Sequence, residues 1–385
     1  MKFIAGVMTG TSMDAIDIAV LQMGETVTLG QVQQDISLRG FFSRPIDAAL
    51  REALFELQQR GDDELHRSSL VANSFADAIS RTVLEGLAHL DIRSRDVIAL
   101  GVHGQTLRHQ PRLGYSIQLN APARIAETTG ITVVSDFRSR DIAAAGQGAP
   151  LVPAFHQALF ADPKTLRAVI NIGGIANITW LGPMLLGYDT GPGNLLMDAW
   201  TERHLGQAFD TNGQWAQSGQ AHRLLLKAML GDPFFAYAPP RSTGRELFNA
   251  AWIDGFLGQS AFAGIAAQDV QATLLALTAD SIANEIARLE RLAKNERQPL
   301  CDQVLICGGG ARNAALMQRL SESIRKAAGR DLPVQSTEAI GWSPQAIEAA
   351  AFAWLASRTL MGQPGNCPTV TGAVGPRILG SITPA

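Results

Sequence analysis

Asp189 stands where a carboxylate could do chemistry. It follows the apolar run 185–188 and opens Thr190-Gly191-Pro192-Gly193-Asn194, a turn handing over to a helix marked by Leu195, Leu196, Ala199 and Trp200. The first turn of a helix presents unpaired N–H groups that favour anions, so the sequence predicts an ionised carboxylate at a helix entrance. Such a group can serve as a general base; its plainer alternative is a helix N-cap. Just upstream, the apolar run 168–172 ends at Gly173-Gly174 and residues 175–181 return as a second strand, with Asn171 and Asn177 flanking the turn. Glycine at a strand end lets backbone approach a ligand closely. The chain opens with the same grammar: a strand over 2–8, a turn of Thr9-Gly10-Thr11-Ser12-Met13-Asp14, and a returning strand over 15–23. Two hairpins of one design read as an internal duplication with one phosphate-facing turn per half.

Other polar residues follow predicted strands. Residues 303–307 form an apolar strand, Gly308-Gly309-Gly310 a turn, and Asn313 starts a helix with Leu316, Leu320 and Ile324 on one face. That arrangement suits backbone contact with a nucleotide, although the G-x-G-x-x-G spacing and the P-loop are both missing. His103-Gly104-Gln105-Thr106 follows a strand over 96–102, where polar residues line the crevice of an α/β sheet; a satisfied surface histidine is the other reading. After a strand over 131–134 come Ser135-Asp136-Phe137-Arg138-Ser139-Arg140-Asp141 and then Ala145-Gly146-Gln147-Gly148. Arginine forks and aspartates can hold a substrate carboxylate and sugar hydroxyls, or the segment is a solvated charged loop. Ser343 and Pro344 suit the N-cap and first turn of a helix running to 360, with Glu348 near its start facing a cleft or favouring the positive helix end.

These residues need a large scaffold. At 385 residues, the chain exceeds one ordinary core and predicts two domains. A hydrophobic share of 46%, a charged share of 17% and a formal charge of -3 predict a globular protein with no nucleic-acid footprint. The short apolar start predicts neither an export signal nor a membrane span. Cys301, Cys307 and Cys367 lack metal-ligand spacing, which predicts a reduced cytoplasmic setting. Residues 45–59, with Pro45 in the first turn, and 65–90 read as helices.

The segments MTGTSMDAID, HGQT, SDFRSRDIAAAGQGAPLVPAFH, NIGGIANIT, YDTGPGN, LICGGGARN and SPQAIEAAAFAWLA occur in this order over nearly the whole chain. Together they resemble the anhydro-N-acetylmuramic acid kinases, peptidoglycan-recycling enzymes of the sugar kinase, heat-shock chaperone and actin superfamily. The resemblance implies an α/β, two-domain actin-like ATPase (ribonuclease H-like) fold with a duplicated mixed β-sheet core and a deep interdomain cleft. The domains expected are 1–134 plus 367–385, and 135–366. It also implies that ATP, water and 1,6-anhydro-N-acetylmuramic acid become ADP and N-acetylmuramic acid 6-phosphate, with Mg²⁺, in a cytoplasmic homodimer. Asp189 is then the base and Glu348 a second catalytic residue. Gly10, Thr11, Ser12, Met13, Asp14, Ala15, Ile16 and Asp17 bind nucleotide, with Asp14 toward the metal. Asn171, Gly173, Gly174 and Asn177 join them on the phosphates, and Gly308, Gly309, Gly310 and Asn313 take the adenosine. His103, Gln105, Asp136, Arg138, Asp141 and Gln147 face the sugar. Another sugar kinase or a non-enzymatic actin-like protein is the competing reading. Ala15 and Ala145 stand where the resembling family more often has glycine, and a methyl there requires a negative φ and no ligand against that Cα.

Overall fold

Apolar runs at the start of the chain pair as expected. Phe3–Thr9 (β1) and Ala15–Thr28 (β2) form an antiparallel hairpin with Thr9 opposite Ile16. The computed structural model describes residues 2–10, 13–28 and 31–385, without the side chains of 25–28 and 31–34. It adds Gln31–Pro45 (β3), antiparallel to β2, which the sequence reading lacks. Pro45 therefore closes an edge strand opposite Ala15, and the helix expected from it begins only at Ala48. At an edge, proline removes no inner ladder bond. The remaining strands are Val97–Val102 (β4), Gln105–Gln110 (β5), Tyr115–Leu119 (β6), Val133–Ser135 (β7), Arg167–Ile172 (β8), Ile175–Leu181 (β9), Leu185–Pro192 (β10), Gln303–Cys307 (β11), Val334–Ser336 (β12) and Ser381–Thr383 (β13).

One sheet is ordered β13-β7-β4-β1-β2-β3 and another β10-β9-β8-β11-β12. In the first, β1 pairs antiparallel with β2 and parallel with β4, β2 is antiparallel to β3, and β4 is parallel to β7. In the second, β8, β9, β10, β11 and β12 repeat those five positions with the same directions. The duplication expected from the two hairpins is thus present in the topology, and the fold is α/β with two mixed, ribonuclease H-like sheets of the actin-like class.

Internal packing divides the chain into one unit of residues 1–155 with 346–385 and another of 156–345. These limits differ from the expected ones at 134 and 366. Strand β7 pairs with β4 and β13, and the Ile347–Leu360 helix packs on β1, so residues on both sides of those points belong with the first sheet. The helix approaches very closely. A Cβ on Gly6 would lie 1.9 Å from Ala349 O, and one on its partner Gly101 would lie 2.0 Å from Phe352 O. Glycine below and an alanine-rich face above therefore let backbone meet backbone. This helix begins three residues beyond the predicted Pro344, because Pro344 O accepts the Gly308 N–H at 2.9 Å and belongs to a turn. In the second unit, Leu316, Leu320 and Ile324 are fully buried on the Ala314–Ala328 helix, as their spacing predicts, and the Ala267–Asn295 helix shares that core.

Ala145 departs from what its side chain allows. Its φ is 63°, in the left-handed region where a Cβ costs roughly 1–2 kcal/mol. Relief of that strain outweighs the extra chain entropy of glycine, so Ala145→Gly should stabilise the protein by about 0.5–1 kcal/mol. A lowered thermal midpoint for the variant would contradict this assignment.

Candidate active site

In the first unit, the β1–β2 turn closes with the Met13 N–H bonded to Gly10 O at 3.1 Å, Met13 having a φ of 53°. Thr11 and Ser12 lie outside the described residues. Met13 and Ile16 are core residues, 0% and 2% exposed, so only their backbone could meet a phosphate. Ala15 extends in β2 outside the left-handed region, which meets the φ condition its methyl imposes. Asp14 is exposed and pairs with Arg51 at 2.9 Å, while Asp17 accepts the Ser43 hydroxyl at 2.6 Å. Among the described residues, no three His, Cys, Asp or Glu side chains gather as a metal cage.

The same unit builds a polar cluster after β4. His103 is buried against Phe352, with ring centroids 4.7 Å apart, and Arg138 Nη2 lies 2.8 Å from His103 Nε2. An arginine can only donate, so Nε2 accepts and the imidazole is neutral with its proton on Nδ1. Burial first, and the Arg138 cation second, hold its pKa well below the usual value. Burial brings Arg138 down to about 10, opposed by the charges of Glu348 and Asp141. His103 Nδ1, Gln105 Oε1, Arg138 Nε and both amide atoms of Asn120 are buried with no hydrogen-bond partner. Buried polar groups left this way are costly unless a ligand completes them. The sequence reading missed Asn120, which lies just before the Pro122–Thr129 helix and outside every motif it singled out.

Three other expected sugar contacts stand outside this cluster's set of unpartnered atoms. Asp141 is wholly buried, its carboxylate accepting from Asn366 at 2.7 Å, Thr371 at 2.8 Å and the Gly148 N–H at 2.7 Å, so it organises the loop. Asp136 is exposed and accepts the Ser139 hydroxyl at 2.6 Å. Gln147 also points outward, its N–H bonded to Thr371 O at 2.7 Å.

In the second unit, strand register sets a row: Asp189 lies opposite Asn177, Asn177 opposite Asn171, and Asn171 opposite Cys307. Directly paired residues share a sheet face, so the two asparagines and the aspartate line up at the strand ends. Asp189 is within β10, at a bulge before Gly191. The N-cap of the Leu195–Leu205 helix is Asn194, which removes Asp189 from that role. At the helix entrance the Gly193, Asn194 and Leu195 N–H groups bond to Gly173 or Gly174 carbonyls at 2.8–3.1 Å. The donors to Asp189 come from farther along the chain: Thr243 N–H at 2.9 Å and Ser242 Oγ at 3.2 Å, both to Oδ2. Burial nevertheless dominates and pushes the carboxyl up to about 6.

The glycines of the strand ends differ in what demands them. Gly308 has a φ of 80°, and a Cβ there would lie 2.4 Å from Asn171 Oδ1; one on Gly310 would lie 2.4 Å from Ile172 Cγ2. Gly173 and Gly309 are outside the left-handed region, and a Cβ would meet nothing nearer than 3.6 Å. Asn313 caps the Ala314–Ala328 helix, accepting the Leu316 N–H at 3.0 Å.

The duplicated sheets with glycine turns at their strand ends define a protein of the actin-like ATPase fold. The family model for anhydro-N-acetylmuramic acid kinase matches residues 1–385. The relatives carrying that name include one from Burkholderia cenocepacia, 48% identical over 98% of this chain and 95% of its own. One from Paraburkholderia xenovorans is 46% identical over 98% and 97%, and one from Bordetella petrii 47% identical over 100% and 97%. The chain belongs to the anhydro-N-acetylmuramic acid kinase family and is a kinase. No helix of the described residues is long and apolar enough to cross a membrane.

Proposed function

We propose that the protein opens 1,6-anhydro-N-acetylmuramic acid with water and phosphorylates its O6, giving N-acetylmuramic acid 6-phosphate and ADP in cell-wall recycling. The internal C1–O6 bond leaves O6 without a proton to lose, so it must be freed as it accepts phosphate. Asp189 takes the proton of a water whose oxygen attacks C1; the C1–O6 bond breaks, and O6 takes the γ-phosphoryl group as its bond to ADP breaks. The observation carrying this reading is the placement of the Asp189 carboxylate, in register with Asn177 and Asn171 across the strands and held by the Thr243 N–H at 2.9 Å, where desolvation favours a base that works near neutral pH.

His103, Gln105 and Arg138, joined by Asn120, would hold the sugar through their unpartnered buried atoms. Glu348 favours the charge on Arg138, leaving that guanidinium suited to the substrate carboxylate. Asn171, Asn177, Gly173, Gly174 and the residue 9–17 turn would face the phosphates, and Gly308, Gly309, Gly310 and Asn313 the adenosine. Mg²⁺, when bound, neutralises charge on the transferring phosphoryl group. Asp14 would hold it: an exposed carboxylate at the β1–β2 turn fits an ion that keeps most of its waters and takes few protein ligands. The same reading places the enzyme in the cytoplasm as a homodimer.

Turnover in oxygen-18 water should put one label at C1 of the product and none in the transferred phosphate. Unlabelled C1, or efficient phosphorylation of open N-acetylmuramic acid at its free 6-hydroxyl, would replace this reading with ordinary sugar-kinase chemistry.

A further inference from the structure

We infer that Arg241 is a positioning residue for Asp189, acting through a buried clamp that ties residues 235–243 to β10; this rests on the reading of Asp189 as the base. The Arg241 side chain is only 4% exposed, and its guanidinium is held on three sides. Nε donates to Asp189 O at 2.9 Å, and Nη1 donates to Tyr237 O at 2.9 Å and Phe235 O at 3.3 Å. Nη2 pairs with Glu285 Oε1 at 2.8 Å. In return, Arg241 O accepts the Asp189 N–H at 3.2 Å, so one residue holds both backbone polar groups of Asp189.

The anchor behind this clamp is itself satisfied. Glu285 Oε2 accepts the Tyr188 hydroxyl at 2.9 Å and Arg288 Nε at 2.8 Å, while Arg288 Nη2 donates to the Tyr188 hydroxyl at 2.6 Å. Tyr188 is the neighbour of Asp189 in β10, so the anchor Glu285 also holds the strand that carries the base. Fixing Arg241 delivers the next two residues, whose Ser242 hydroxyl and Thr243 N–H reach Asp189 Oδ2. A lysine carries the same charge but cannot reproduce a planar fork with three fixed directions.

The charged groups facing the Asp189 carboxylate are Arg241, which favours its ionised form, and Glu246, which opposes it. Glu285 and Arg288 stand behind Tyr188, and Asn177 opposite on β9 is neutral. Loosening the clamp withdraws donors from the carboxylate, which raises its pKa. The acid limb of the activity profile therefore moves to higher pH.

The test uses full-length Arg241→Lys and Ser242→Ala with ATP and the anhydro sugar. Arg241→Lys should lose about ten- to a hundredfold in kcat, with the KM for ATP nearly unchanged, because misplacing a reacting group by an ångström costs on that order. Both variants should shift the acid midpoint upward, Ser242→Ala by less. Wild-type kcat in Arg241→Lys with an unmoved midpoint would overturn the inference. Should Arg241→Lys fail to fold, an unmoved midpoint in Ser242→Ala would overturn it as well, since Ser242 is exposed and its change leaves the core intact. Asp189→Asn measured alongside separates the two ideas: surviving turnover there removes the base, whereas lost turnover beside wild-type kinetics in Arg241→Lys removes the clamp alone.

Discussion

Asp189→Asn should bind ATP and the anhydro sugar and yet lose turnover by ~10²–10⁴-fold, the usual contribution of a general base. The loss belongs in kcat, because asparagine keeps the size and the acceptor that Ser242 and Thr243 address. In the wild type, kcat/KM should rise with pH through about 6 as the carboxyl loses its proton. Stability should run the other way. The folded state holds this proton up to about pH 6 and the unfolded chain releases it near 3.8, so between those values the folded form binds more protons and stability falls as pH rises. Asparagine removes that penalty, and above pH 6 the variant should be the more stable by up to about 3 kcal/mol, at about 1.4 kcal/mol per pH unit of displacement. Below pH 4 the two proteins should melt alike. A variant that keeps its turnover would dismiss Asp189 as the base, and one merely misfolded would show lower stability at neutral pH.

Gly173→Ala and Gly309→Ala should fold like the wild type and bind ATP at least about tenfold more weakly, a change of about 1.4 kcal/mol. Neither glycine is demanded by its own backbone, since neither is left-handed and a Cβ at either finds 3.6 Å of room. What remains to explain them is the close approach of something outside the chain. Gly308→Ala is the contrasting control: its φ of 80° and the 2.4 Å approach to Asn171 predict damage to the fold itself. Calorimetric titration with ATP, beside thermal melts, reads both effects. Unchanged ATP affinity in folded Gly173→Ala and Gly309→Ala would take these turns out of the nucleotide site.

The hairpins at β1–β2 and β8–β9, the strand, glycine turn and helix at 303–328, and the family itself were legible in the sequence. Each depends on residues close together in the chain: apolar runs of strand length, glycine punctuation, and the 3.6-residue spacing of Leu316, Leu320 and Ile324. Strand β3 escaped because its half-polar stretch carries little apolar signal, and the helix predicted from Ser343 and Pro344 begins late because a distant N–H, that of Gly308, claims the Pro344 carbonyl. Tertiary structure alone decided the chemistry of the carboxylates. Asp141 and Asp189 look equally available in sequence, yet one is consumed by Asn366, Thr371 and Gly148, and the other is raised to about 6 under another segment distant in the chain, residues 241–243. Desolvation and hydrogen-bond supply are set by whichever elements pack overhead, and no local pattern carries that information. The same reason separates Gly308 and Gly310 from Gly173 and Gly309, which are one letter in the sequence and differ in what stands within reach of an absent methyl and, at Gly308, in a φ of 80°.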